Sequence, residues 1–211
     1  MDPVNPPSQP SPRMTHRQRQ ALATQKLIVD TARALFIDQG YAATTIEAIS
    51  AQAGVAVSTV YAAFGNKRAI LRAIREAWHQ ESDQRNIYQE ARQQADPQRR
   101  IALAAHATRR QWETGATMIA IYRGAAAVDP EAAAELAEAL RGRKISQYHF
   151  ISEMADRLRQ GLSEAEAAAL FHALTLPEIY EDLVGDAGWT PDQYETWLAG
   201  VLCQQLLGEV V

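Results

Sequence analysis

Apolar positions recur three to four residues apart along almost the whole chain, and nowhere do they alternate with polar ones at period two. That spacing predicts helices and no strands. Ile28, Ala32, Leu35 and Phe36 draw one stripe along a first helix from about Arg17 to Gln39, closed by Gly40, which can adopt a left-handed backbone. Thr44 or Thr45 then caps a second helix, with Glu47 in its first turn and Ile46, Ile49 and Ala53 on its inner face. Gly54 ends that helix after about two turns. A third short helix runs from about Val57 to Phe64, with Val60 inward. Gly65 breaks it, and Asn66 caps a fourth helix whose inner face is Ile70, Leu71, Ile74 and Trp78.

Two short helices joined by a tight glycine turn are the helix-turn-helix signature. The second of them spans about 10 Å at 1.5 Å per residue, and a DNA major groove is about 12 Å wide. From Asp96 on, five more segments follow. Asp96-Pro97 opens one that carries Leu103, His106, Arg110 and Trp112. Gly115–Val128 reads as a separate short apolar helix around Met118, Ile121 and Tyr122. Asp129-Pro130 starts a long one. Ser163 with Glu166 forms a capping box before the next, and Thr190-Pro191 opens the last. The expected fold is all-α with about nine helices: a three-helix helix-turn-helix DNA-binding head and a C-terminal helical domain, which the family resemblance described below implies to be ligand-binding and dimerising. The proposed boundaries are a disordered arm over 1–13, rich in proline, a head over 14–65 and a regulatory domain over 66–211.

Charge sharpens this division. The net charge of −4 conceals a head-to-tail asymmetry: residues 1–75 hold nine basic side chains against four acidic ones, and the remainder twelve against twenty-one. A basic N-terminal third on an acidic body suits a polyanion-binding head. Candidate chemistry is sparse. The five histidines are scattered without ligand spacing, and no H-E-x-x-H, C-x-x-C or P-loop is present, which argues against an enzyme, a metal site or a bound cofactor. The lone Cys203 reads as a small buried apolar residue, and one cysteine allows no internal disulfide. No apolar run reaches a membrane span, and the first residues lack a secretory apolar stretch, so the expected place of action is the cytoplasm.

Residues 28–71, "IVDTARALFIDQGYAATTIEAISAQAGVAVSTVYAAFGNKRAIL", resemble the tetracycline-repressor (TetR) family of bacterial transcriptional regulators. The resemblance rests on Leu35-Phe36, Gly40-Tyr41, the paired threonines, Ile49 with Ala53-Gly54-Val55, Thr59-Val60-Tyr61, Phe64 and Lys67. It implies backbone contacts to double-stranded DNA from Thr45, Tyr61 and Lys67, and puts Val57, Ser58, Thr59 and Ala62 at the base edges. Ala62 and Ala63 stand where larger polar or aromatic residues are common, so base readout by this helix looks thin. Arg13, Arg17 and Arg19 add candidate minor-groove or phosphate contacts.

The same resemblance implies a pocket for a small, mostly apolar effector lined by His106, Arg110, Trp112, Met118, Tyr122 and Tyr148. His106 and Arg110, one turn apart, could meet an anionic ligand or only solvent. It also implies a homodimer in which the last two helices of each subunit form a four-helix bundle through Leu170, Phe171, Leu174, Trp197, Leu198, Val201 and Leu202. The expected function is thus a ligand-responsive regulator, a repressor acting on a near-palindromic operator. A helical protein–protein interaction module whose helix-turn-helix has lost DNA binding is the alternative, kept open by Ala62 and Ala63.

Overall fold

The computed structural model describes residues 15–208, and the expected arm over 1–13, including Arg13, lies outside the described residues. Eleven α-helices and no strand make up this part of the chain. They are α1 His16–Asp38, α2 Gly40–Ala43, α3 Ile46–Ala53, α4 Val57–Phe64, α5 Lys67–Ser82 and α6 Gln84–Arg92. The rest are α7 Pro97–Ala126, α8 Pro130–Ser152, α9 Glu164–Leu174, α10 Pro177–Tyr180 and α11 Pro191–Leu207.

The expected stripes all face inward. Ile28, Ala32, Leu35 and Phe36 of α1, Ile46, Ile49 and Ala53 of α3, Val60 of α4, and Ile70, Leu71, Ile74 and Trp78 of α5 are buried. Fully burying each large aliphatic side chain contributes about 1.5–3 kcal/mol, and this cluster holds α1, α3, α4 and α5 together. Capping follows the sequence closely. Thr45 Oγ1 accepts from Ala48 N at 3.1 Å, Asn66 Oδ1 from Ala69 N at 2.8 Å, and both Ser163 with Glu166 and Thr190 with Gln193 complete capping boxes.

Three departures from the sequence reading have physical reasons. Gly115 does not separate two helices: α7 runs unbroken for 30 residues. The glycine is there because Trp78 of α5 lies against it, where a Cβ would overlap the indole Nε1 and Cε2. Second, α6 was not expected, because its nine residues are mostly polar and only Ile87, Tyr88 and Ala91 draw an inner stripe. It begins at Asp83, the one described non-glycine residue with positive φ, at 53°. Third, a four-residue helix, α2, opens on the left-handed Gly40 and seats Tyr41 in the core.

The body is arranged about α7, which packs on α5, α6, α8 and α11. A π-helical turn, Glu181–Asp186, precedes α11. Cys203 is buried, as the sequence reading anticipated.

Candidate DNA interface and body cavity

α3 and α4 are joined by a turn in which Gly54 takes the left-handed conformation, φ 65°. On α4, Ser58, Tyr61 and Ala62 are spaced three and four residues apart, so they share one face, and all three are exposed. Tyr61, at 49% exposure, is the largest solvent-facing group of the helix. Thr45 is exposed at the start of α3. Thr59 and Val57 are only half-buried, and Val57 packs on the core, so it is less open to a groove than the sequence reading placed it. Arg17 and Arg19 lie exposed in the first turn of α1, whose N-terminus Thr15 and Gln18 cap.

Lys67 is placed differently from expectation. Its ammonium donates to the carbonyls of Tyr41 at 2.7 Å and Thr44 at 2.8 Å, with Ala42 O at 3.5 Å, and sits 4.3 Å from the centre of the Tyr41 ring. These carbonyls end α2, where a helix leaves its acceptors unpaired and its dipole favours a cation. Desolvation lowers the Lys67 pKa, partly offset by Asp129. In this conformation Lys67 ties α2 to α5, and its donors are occupied by backbone rather than free for a phosphate.

The same corner joins head to body. Tyr41 Oη donates to Asp129 Oδ2 at 3.3 Å, while Asp129 Oδ1 caps α8 through Glu131 N and Ala132 N. Arg68 reaches Asp129 at 3.6 Å, Glu131 at 2.6 Å and Glu135 at 3.8 Å, and Arg72 reaches Glu135 at 2.9 Å. Desolvation would raise the Asp129 pKa, but the two α8 amides and Arg68 outweigh it and hold it low. Desolvation, then Asp129, pushes Tyr41 up to about 12. The phenol therefore stays a donor and the carboxylate an acceptor at neutral pH.

Glu135 also lines a cavity of about 1060 Å³ enclosed by α5 to α10. Trp112, Met118 and Tyr122 line it. His106, Arg110 and Tyr148 do not. His106 Nδ1 faces Glu195 of α11 at 2.9 Å, on the other side of α7. Arg110 meets Glu113 at 3.4 Å and the Glu81 carbonyl, and Tyr148 is exposed on the outside of α8. Helical phase is the reason: Trp112, Met118 and Tyr122 recur toward α8, whereas His106 and Arg110 fall off that stripe. In their place the structure brings Trp78, His79, Tyr88, Arg143, Gln147 and His172 to the cavity wall. Tyr122 Oη is buried without a hydrogen-bond partner, and burial raises its pKa to about 12. Among the described residues no His/Cys/Asp/Glu group could hold a metal ion, and no helix is long and apolar enough to cross a membrane.

The family model of the bacterial regulatory proteins of the tetR family matches residues 28–74, from α1 through α3 and α4 into α5. Solved structures extend the likeness over the whole fold. SmeT in complex with triclosan is 23% identical with a TM-score of 0.71, covering 88% of this chain and 92% of that one. NalD, the secondary repressor of the MexAB-OprM multidrug efflux pump in Pseudomonas aeruginosa, is 21% identical with a TM-score of 0.69, covering 90% and 98%. The likeness to the TetR family is thus one of the helix-turn-helix head in sequence and of the whole chain in fold. A third TetR-like structure, the regulator FadR from Bacillus subtilis in complex with stearoyl-CoA, is 20% identical with a TM-score of 0.64, covering 84% and 96%. No curated protein sequence matches the chain.

In this TetR fold α9 and α11 are the last long helices, and their apolar residues divide in two. Phe171, Leu198 and Leu202 are 0% exposed in the single chain, so they belong to its own core and cannot touch a second subunit as the sequence reading had them do. Leu170 with Leu174, and Trp197 with Val201, are pairs one turn apart that remain partly exposed. The sequence could not separate the two sets, because both are apolar and lie on the same two helices. Arg143, Gln147 and His172 carried no motif, and only the packing of α8 on α9 brings them together. Asp129 did carry a signal, its Asp-Pro cap, but nothing in the sequence joined it to Tyr41 and Arg68.

Proposed function

We propose that the chain is a small-molecule-responsive repressor of transcription that acts in the cytoplasm as a homodimer on a near-palindromic operator. The single observation that carries this reading is the ion-pair corner between the two functional regions. Arg68 and Arg72 stand at the start of α5, beside the DNA-facing helices, and bind Asp129, Glu131 and Glu135 at the start of α8, one of which lines the cavity.

The head, taken over residues 14–65, presents Ser58, Tyr61 and Ala62 of α4 to the major groove, with Thr45 and Tyr61 on the phosphate backbone and Thr59 beside them. Val57 contributes its edge, and Arg17 and Arg19 lie near enough to the α1 N-terminus to add backbone contacts. The regulatory part, residues 66–211, holds the effector in the cavity and dimerises through Leu170, Leu174, Trp197 and Val201. Two-fold symmetry then calls for two matching half-sites about 34–36 Å apart or slightly more.

An effector that fills the cavity moves α8 against α5 and so shifts the spacing of the two heads. It weakens DNA binding by as much as it prefers the shifted state, typically about 1–3 kcal/mol. That similar folds are found with triclosan and with stearoyl-CoA supports reading the cavity as an effector site. The test is selection of binding sequences from random DNA, followed by titration of the selected site with and without compounds that raise the protein's melting temperature. Compounds that bind and leave DNA affinity unchanged would refute the sensor, and no selected sequence would refute the DNA reading itself.

A further inference from the structure

The cavity is basic although the body around it is acidic. Seven cationic side chains line it against four carboxylates. Most of the arginines are already compensated: Arg72 by Glu135, Arg85 by Glu76, Arg92 by Glu153 and Arg123 by Glu178. Arg143 is not. Among the described residues no carboxylate lies within ion-pair distance of it, and Glu178, the acid that acts on it, is held by Arg123.

The guanidinium is nevertheless firmly placed. Nη2 donates to the Thr175 carbonyl and to Thr175 Oγ1, and the plane lies over Trp112 with 5.1 Å to the ring centre. Thr175 is itself 0% exposed and fixed, since its hydroxyl donates to Phe171 O at 2.8 Å and accepts from Gln147 Nε2 at 2.9 Å. Trp112 Nε1 donates to the same carbonyl at 3.0 Å, and Gln147 Oε1 meets His172 Nδ1 at 2.8 Å. Among the described residues no acceptor engages Nε or Nη1. Desolvation lowers the Arg143 pKa, and His172 beside it is held toward its neutral form by burial, Arg143 and Lys144. A half-buried charge without a counter-ion still carries a desolvation cost, and such groups concentrate at functional sites. The planar fork suits a carboxylate.

We propose that Arg143 binds the carboxylate of an amphipathic organic acid whose apolar body lies against the lining that includes Trp112, Met118 and Phe150. This rests on the cavity being the effector site, and it changes the expected ligand from mostly apolar to apolar with one anionic end. The volume suits a molecule of drug size.

The test uses matched pairs on the full-length protein: 2-naphthoate against 2-naphthalenemethanol, and decanoate against decanol, followed by tryptophan fluorescence near neutral pH. The acid of each pair binds about tenfold tighter or more than its alcohol, the worth of a charge-assisted hydrogen bond. Arg143→Gln removes that difference, while Arg143→Lys retains part of it. The comparison within wild-type protein needs no variant, so a misfolded substitution does not obscure it. Equal affinity for acid and alcohol, tighter binding of the alcohols, no binding of either acid, or a preference that survives in folded Arg143→Gln would overturn the proposal. A DNA titration in the same samples separates the two readings. Acids that bind through Arg143 without altering DNA affinity sink the effector reading and leave the anion site. Alcohols that bind as well as the acids and release DNA do the reverse.

Discussion

The indole of Trp78 on α5 lies directly on Gly115 of α7, so close that no Cβ fits between them, and its Nε1 donates to Gln111 O at 3.3 Å. It packs the DNA-linked helix α5 on α7, the central helix of the body. Gly115→Ala must move the indole or part the helices, at a cost of about 1–3 kcal/mol for overpacking a dense core, against a gain in helix propensity under about 1 kcal/mol. Urea unfolding followed by tryptophan fluorescence should show a net loss. A gain would mean that α5 and α7 are free to separate.

Lys67 and Tyr61 should part in their effects. Lys67→Ala leaves the carbonyls of Tyr41 and Thr44 without their donor and should destabilise the head by about 1–3 kcal/mol, in addition to any effect on DNA. Tyr61→Phe should leave the melting temperature unchanged and weaken binding to all DNA sequences alike, because a phosphate contact carries no base identity. If Lys67→Ala melts like the wild type and only lowers the salt slope by about one, the lysine serves phosphate rather than fold.

At the head–body corner, Asp129→Ala removes both the α8 cap, worth about 1 kcal/mol, and the acceptor of Tyr41. Tyr41→Phe removes only the second. A double-mutant cycle on stability should give a coupling of about 0.5–1.5 kcal/mol. A coupling of zero would show that the 3.3 Å contact contributes nothing to the joint.

On α11, neighbouring residues should behave oppositely. Trp197→Asp should split the dimer and keep the monomer folded, because Trp197 is only half-buried in the single chain. Leu198→Asp should unfold the chain, because Leu198 is 0% exposed and the new carboxylate would have no partner. Sedimentation with circular dichroism distinguishes them. A folded dimer for Trp197→Asp moves the interface elsewhere.

His79 and His172 give a pH dependence. Burial is the largest cause lowering both pKa values, with Arg85 adding to it at His79 and Arg143 and Lys144 at His172. A lowered folded pKa means that the folded state binds fewer protons than the unfolded one. The stability is complete above the unfolded value of about 6.5 and is lost as pH falls through the folded values. The melting temperature should drop below about pH 6.5, and His172→Gln should make the drop shallower. A drop of the same depth in His172→Gln would remove His172 from the account.

Helical phase and caps were legible in the sequence because they are local. The stripes on α1, α3 and α5 and the caps at Thr45, Asn66, Ser163 and Thr190 depend on residues at most a few positions apart. What the sequence did not show is what depends on a partner far along the chain. Gly115 reads as a break unless Trp78 is known to lie on it. Lys67 reads as a phosphate ligand unless the end of α2 is known to face it. Phe171 and Leu198 read as interface until the body is seen to bury them. The cavity was half legible: Trp112, Met118 and Tyr122 are in phase on one helix, whereas Arg143, Gln147 and His172 come from two others.

The central claim is that α3 and α4 bind DNA and that the cavity governs that binding through the corner at Arg68. The most direct measurement is footprinting and binding stoichiometry on a site selected from random DNA, repeated with Arg68→Ala in the presence and absence of a cavity-binding compound. The account predicts a near-palindromic footprint with paired subunits, weakened by the compound in wild-type protein and much less so in Arg68→Ala. A single asymmetric half-site, binding by a monomer, or an undiminished response in Arg68→Ala would contradict it.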